Sequence, residues 1–155
     1  MCYTSNKYRL GGYTLEYRKC GNDYIVRIAK GEEILATLSQ LCEKEEIKLG
    51  TVMGIGAVNK VTLGVFNSVD KKYESTTYTG DMEISSCTGN ISTMDKKPYL
   101  HIHMVVGNTT KNLCYAGHLN NGLISLTGEF YIHKIDGCVD REFSEEIGLN
   151  LYKFN

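Results

Sequence analysis

Three of the chain's four histidines fall in two short stretches, YLHIHMVVG (99–107) and YAGHL (115–119). If residues 99–106 form a strand, side chains alternate, so His101, His103 and Val105 share one face while Leu100, Ile102, Met104 and Val106 share the other. The apolar face belongs to a core. That leaves two imidazoles rooted about 7 Å apart, a spacing from which both can converge on one ion. His118 follows Gly117 in AGHLNNG, which reads as a loop leading into the next strand; an antiparallel return would bring a third ring nitrogen within reach. Three histidines with water in the fourth position form an open zinc arrangement, in which the metal acidifies its water and polarises a bound oxygen. The same residues admit a plainer reading: two histidines lining a solvated sheet face and one loop histidine hydrogen-bonded to backbone. His133, in FYIHK at a strand end with no histidine near it in sequence, is assigned no ligand role.

A metal-bound histidine usually gives its second ring N–H to a carboxylate or carbonyl, so acidic residues on neighbouring strands matter. Glu83 in GDMEIS and Glu129 in TGEFYI are the candidates, either as such partners or as proton carriers for chemistry at the metal. Alternation along 123–133 places Ile124, Leu126, Phe130 and Ile132 on an apolar face, with Thr127, Glu129 and Tyr131 on the polar one. Each glutamate alone is equally a solvated strand carboxylate. Arg27 meets either an anionic ligand at a subunit boundary or, as a surface residue, Glu32 or Glu33.

The elements that must hold these residues are mostly strands. The one convincing helix lies in GEEILATLSQLCEKEEIK, where Ile34, Leu35, Leu38, Leu41 and Cys42 form an apolar stripe and Glu32 and Glu33 occupy the first turn. YTLEYRK and DYIVRIA flank the turn-rich CGND as a hairpin. TVMGIGAVNKVTLGVF predicts two strands or one bent strand, its glycines serving close backbone packing or a bulge rather than a phosphate loop. Further strands are expected in YTGDMEISSC, PYLHIHMVV, LISLTGEFYIH and the closing IGLNLYKF, and CTGN suggests a turn. Strands in direct succession with a single long helix favour an α+β class: a mainly antiparallel sheet packed against one main helix, in one domain spanning 1–155.

The 155 residues carry a net charge of −1, which removes the overall positive field behind non-specific attraction to nucleic acid. Lys71, Lys72, Lys96 and Lys97 are the densest basic pairs and read as solvated loop charge. No run reaches the length of a membrane span, and the first residues lack a basic-then-apolar layout, so no membrane association and a cytoplasmic location are expected. The six cysteines stand singly with no Cys-x-x-Cys pair, and are read as reduced thiols packed as small hydrophobes. No Gly-x-Ser-x-Gly elbow occurs, which argues against a serine hydrolase.

RIAKGEEI, GTVMGIGAVNKVTLGVF, YTGDMEISSCTGNIS, KPYLHIHMVVG, AGHLNNG and LTGEFYI come in an order and spacing that resembles the plants and prokaryotes conserved (PPC) domain, as a stand-alone prokaryotic member. The likeness covers nearly the whole chain after residues 1–20. It implies an antiparallel sheet with one packed helix, a homotrimer whose subunit edges pair, and a zinc (Zn2+) site on the family's His-x-His strand and Gly-His-Leu segment, matched here by His101, His103 and His118. In plants these domains follow AT-hooks, Arg-Gly-Arg-Pro segments that enter the minor groove. This chain has one proline, Pro98, and no Arg-Gly-Arg segment, so direct DNA binding is doubtful without an AT-hook. Two functions stand side by side. One is a DNA-binding or transcription-associated regulatory module, a zinc-bearing homotrimer with a protein or DNA partner. The other is a zinc-dependent enzyme that activates water or polarises a small anionic or carbonyl substrate.

Overall fold

Short reversals build most of the architecture. Gly21, with φ +64°, turns one hairpin, and Asp95 and Lys96, with φ +52° and +64°, form the two-residue left-handed turn that matches strand twist in another. The computed structural model describes residues 6–10 and 13–154; Cys2 lies outside them. Strands β1 (Asn6–Leu10), β2 (Tyr13–Cys20) and β3 (Asp23–Ala29) precede helix α1 (Ile34–Lys44). Then follow β4 (Gly50–Asn67), β5 (Lys72–Met94), β6 (Lys97–Asn108), β7 (Leu113–Lys134), β8 (Asp140–Ser144) and β9 (Leu149–Lys153).

The pairings are antiparallel except for a parallel contact of β5 with β8 at Thr93 and Asp140. The α+β expectation therefore holds. β4 pairs with both β5 and β7, and β6 joins the other edges of β5 and β7, so these four long strands close a hydrogen-bonded circuit. Inside lie Val58, Val61, Met82, Ile84, Cys87, Ile102, Met104 and Leu119, all buried. Burial raises the thiols of Cys42 and Cys87 to about 12, so both stay protonated and behave as small hydrophobes. No helix among the described residues is long and apolar enough to cross a membrane.

The helix is shorter than its sequence pattern. Glu33 is its N-cap, accepting from Ala36 N at 2.6 Å, so Glu32 and Glu33 precede the first turn instead of occupying it. The other Glu33 oxygen accepts from Gly122 N at 2.9 Å and ties the helix start to β7. Ile34, Leu38, Leu41 and Cys42 are buried as the stripe requires, with Leu35 at its margin.

TVMGIGAVNKVTLGVF is one bent strand, with register shifts between Gly54 and Gly56 and between Val58 and Lys60. Gly56 has φ +148°, and a Cβ there would stand 2.4 Å from Thr127 O, so only glycine lets the strands meet at this bend. On β7 the register passes from Gly128 opposite Gly56 to Ile124 opposite Val58, leaving extra residues on the β7 side. That irregularity corrects the simple alternation: Leu126 is 68% exposed and Ser125 is buried. CTGN is likewise not a turn. Cys87 to Asn90 lie inside β5, paired with β4 on one side and β6 on the other.

At the end of α1, Glu45 gathers the hydroxyls of Tyr17 and Tyr24 (the latter at 3.2 Å) and the Lys19 ammonium at 3.2 Å. Burial works to raise its carboxyl, but hydrogen bonds from Tyr17, Lys19 and Tyr24 outweigh it, and the pKa falls below the usual value. A carboxylate depressed in the fold adds stability above its unfolded pKa, and that stability is lost as pH falls through the folded value. Glu45→Ala is expected to cost about 1–3 kcal/mol near neutral pH, since two tyrosine hydroxyls lose their acceptor. The difference between variant and wild type in thermal melts should shrink as pH falls below the ordinary glutamate value of about 4.3; a gap that stays constant would rule out the carboxylate as its source.

Candidate metal centre

His101 and His103 stand on β6 with Ile102 and Met104 buried between and beside them, so the imidazoles point away from the core as strand alternation demands. AGHLNNG is not a loop. It lies within β7, where His118 is the register partner of His103 on one side and of Gly64 on β4 on the other. Pairing of Ala116, Gly117 and His118 with β6, and of His118, Leu119, Asn121 and Gly122 with β4, explains why a glycine- and asparagine-rich stretch stays extended. The correction strengthens the geometry, because directly opposed residues of an antiparallel pair project on the same face with Cβ atoms about 4.5–5.5 Å apart.

The three ring centroids are 5.1–5.5 Å from one another. One donor nitrogen from each ring lies within 4.8 Å of the other two. His101 Nε2 and His103 Nε2 are 3.3 Å apart. Two nitrogens each about 2.05 Å from a zinc ion at a tetrahedral angle are separated by about 3.3 Å, so the strand-borne pair already has the spacing of two ligands. The donor set fits a borderline metal that prefers imidazole and leaves a fourth position open. Burial, then the charges of Arg141 and His103, lowers the pKa of His101; burial, then the charges of His101 and His103, lowers that of His118 to about 4. Both rings are therefore neutral at physiological pH, the state in which imidazole binds metal.

Gly64 makes room for the wall beside His118. A Cβ at residue 64 would lie 2.2–2.4 Å from the ring and hydroxyl of Tyr73, which crosses β4 there and meets His118 edge-on at 5.9 Å. The Tyr73 hydroxyl donates to Asn120 Oδ1 at 2.7 Å, and the Asn120 amide donates to Ser75 Oγ at 2.7 Å. On the other flank, Asn90 pairs with His101 and Ser92 with Tyr99 across β5 and β6. Arg141, on β8, reaches down to this row: its Nη2 donates to Asn90 Oδ1 at 2.9 Å and its Nε to Ser92 Oγ at 2.8 Å. A lone arginine in VDREFS carries no spacing signal, and its position depends on a parallel strand contact that sequence patterning does not show.

Neither glutamate joins the cluster. Glu83 pairs with Gly107, four residues along β6 from His103, about 13 Å at strand rise. Glu129 pairs with Arg27 and Ile55, eleven residues along β7 from His118. Arg27 is bound by Glu16, with Nη2 to Oε2 at 2.5 Å, and not by Glu32 or Glu33. His133 meets Asp23 at 2.8 Å, apart from the other three.

The sequence profile of the Plants and Prokaryotes Conserved domain matches residues 15–136. Among solved structures, a candidate DNA-binding protein of Bacteroides thetaiotaomicron is 38% identical, with a TM-score of 0.86 over 90% of this chain and 97% of its own. A metal-containing protein of Archaeoglobus fulgidus is 26% identical, with a TM-score of 0.80 over 90% and 98%. A plant- and prokaryote-conserved protein of Pyrococcus horikoshii is 28% identical, with a TM-score of 0.78 over 96% and 99%. No curated protein matches the chain.

A histidine held below its ordinary pKa lets the unfolded chain take up a proton first, so the metal-free fold should lose stability as pH falls from about 6.5 toward about 4. Proton NMR of the metal-free protein is expected to show the His118 ring titrating near 4. An ordinary titration near 6.5 would mean that the ring is not packed as described.

Proposed function

The chain belongs to the plants and prokaryotes conserved domain family, and from that premise we propose that it is a regulatory module of the DNA- and transcription-associated kind, assembled as a homotrimer that binds zinc through His101, His103 and His118. The observation that carries the metal part is the convergence of three imidazole donors within 4.8 Å on the face of β6 and β7. The Archaeoglobus relative, described as metal-containing, supports it. The regulatory part is supported by the Bacteroides relative described as a candidate DNA-binding protein. With a net charge of −1 and no Arg-Gly-Arg segment in these 155 residues, this domain works through partner proteins rather than by gripping the duplex itself.

The trimer is supported by an apolar row across β3, β7 and β4. Ile25 pairs with Tyr131 and Tyr131 with Met53, and Ile55 follows on the same face of β4; all four are exposed in the single chain. A contiguous exposed row of this kind is what a subunit contact covers.

A second reading is a zinc-dependent enzyme, which the open donor set favours: three histidines leave a position where metal-bound water loses a proton near neutral pH. Glu83 and Glu129 lie too far along their strands to serve it as proton carriers.

Elemental analysis is expected to find about one zinc per chain, and His103→Ala should remove most of it while circular dichroism shows the sheet intact. Unchanged zinc in that variant would defeat the assignment. Light scattering should give three times the 17.4 kDa chain mass, and Met53→Asp with Ile55→Asp should bring it down to a single chain. Tight, salt-sensitive gel shifts with the isolated protein would show that it contacts DNA directly after all.

A further inference from the structure

Arg141 is 9% exposed, yet among the described residues it has no carboxylate partner. Arginine is almost never buried to this degree unpaired. Its acceptors are all neutral: Ser92 Oγ at 2.8 Å, Asn150 O at 2.8 Å and Asn90 Oδ1 at 2.9 Å. Its faces are covered by two rings, with the guanidinium carbon 4.7 Å from the centre of Tyr99 and 4.3 Å from that of Tyr152. Such packing fixes the fork in place and leaves its charge uncancelled. Five N–H donors serve three bonds, which leaves one on each terminal nitrogen.

The placement of this cation is the second observation. Asn90 and Ser92 face the same side as His101 and Tyr99, so the guanidinium borders the histidine cluster on its His101 flank. A divalent metal on three neutral imidazoles retains its full charge, and the cluster contains no aspartate or glutamate to reduce it. Metal and guanidinium together would make a strongly positive site, with the Tyr73 ring against His118 and the Tyr99 ring against Arg141. Arginine recognises anions that present two oxygens, and zinc takes one oxygen readily.

We infer that Arg141 is the anion-recognising residue of this site, and that the metal's open position takes a small oxyanion, a carboxylate or phosphate, with one oxygen on the metal and another on the guanidinium. The inference rests on the three-histidine metal reading. Arg141 lies on β8, beyond the residues 15–136 that the family profile matches, so the recognition element is contributed by a part of the chain outside that profile.

The test uses the full chain loaded with cobalt, whose visible spectrum reports what enters the coordination sphere. Wild type should show saturable spectral changes with acetate or inorganic phosphate, and should prefer either to chloride by ~10-fold or more. Arg141→Lys, with its fold checked by circular dichroism, should take up cobalt equally but bind the oxyanion ~10-fold more weakly, while its chloride affinity stays the same. Equal oxyanion affinity in the lysine variant overturns the inference, as does a wild-type protein that binds cobalt but does not distinguish oxyanions from chloride. Wild type that takes up no cobalt overturns the metal reading and this inference together. If the lysine variant does not fold, the wild-type selectivity decides.

Discussion

Side chains on paired strands alternate with a period of two, so a slip of one residue between β6 and β7 would carry His118 to the core face and Leu119 out to solvent. The pairing of His103 with His118 is the constraint from which the site follows. Several apolar residues hold that register at once: Ile102, Met104 and Val106 on β6 and Leu119 on β7 are all buried. Slipping would expose them together, at about 1.5–3 kcal/mol for each large side chain. The hydrophobic core thus sets the positions of polar residues that it never touches.

The same row of residues continues beyond the histidines. Thr88 on β5 is opposite His103, and Asn90 is opposite His101, so the face that holds the imidazoles also holds the acceptor for Arg141. On β4, Gly64 opposite His118 gives up its side-chain volume to Tyr73. Each flank of the cluster is defined by the strand next to it, and sheet strands hold a site more rigidly than loops do.

What the sequence disclosed follows the range of the physics involved. His101 and His103 are legible as partners because a two-residue period is local, and the helix stripe around Leu38 and Leu41 is legible for the same reason. The strand state of AGHLNNG was hidden, since its composition favours a turn and only pairing with both β4 and β6 extends it. The exposed side chain of Leu126 depends on a register shift against Gly56, a relation between distant segments. Glu83 and Glu129 drew attention as acids on polar strand faces, but a face says nothing of distance along it. Arg141 was the least visible, because its surroundings come from β5, β6 and β9 at once.

Charge distribution separates this cluster from an ordinary patch of surface histidines. Surface rings gain from nearby carboxylates and titrate near their usual pKa. Here His101 and His118 are held neutral by burial first and by neighbouring positive groups second, and a guanidinium rather than a carboxylate is packed next to them. A fold selected for stability alone has little reason to bury a cation among tyrosines beside three imidazoles, since the desolvation of an unpaired charge costs several kcal/mol. That cost is offset when a negatively charged ligand binds beside the guanidinium. An arrangement that repels protons and lacks acids is suited to receiving a metal and an anion together.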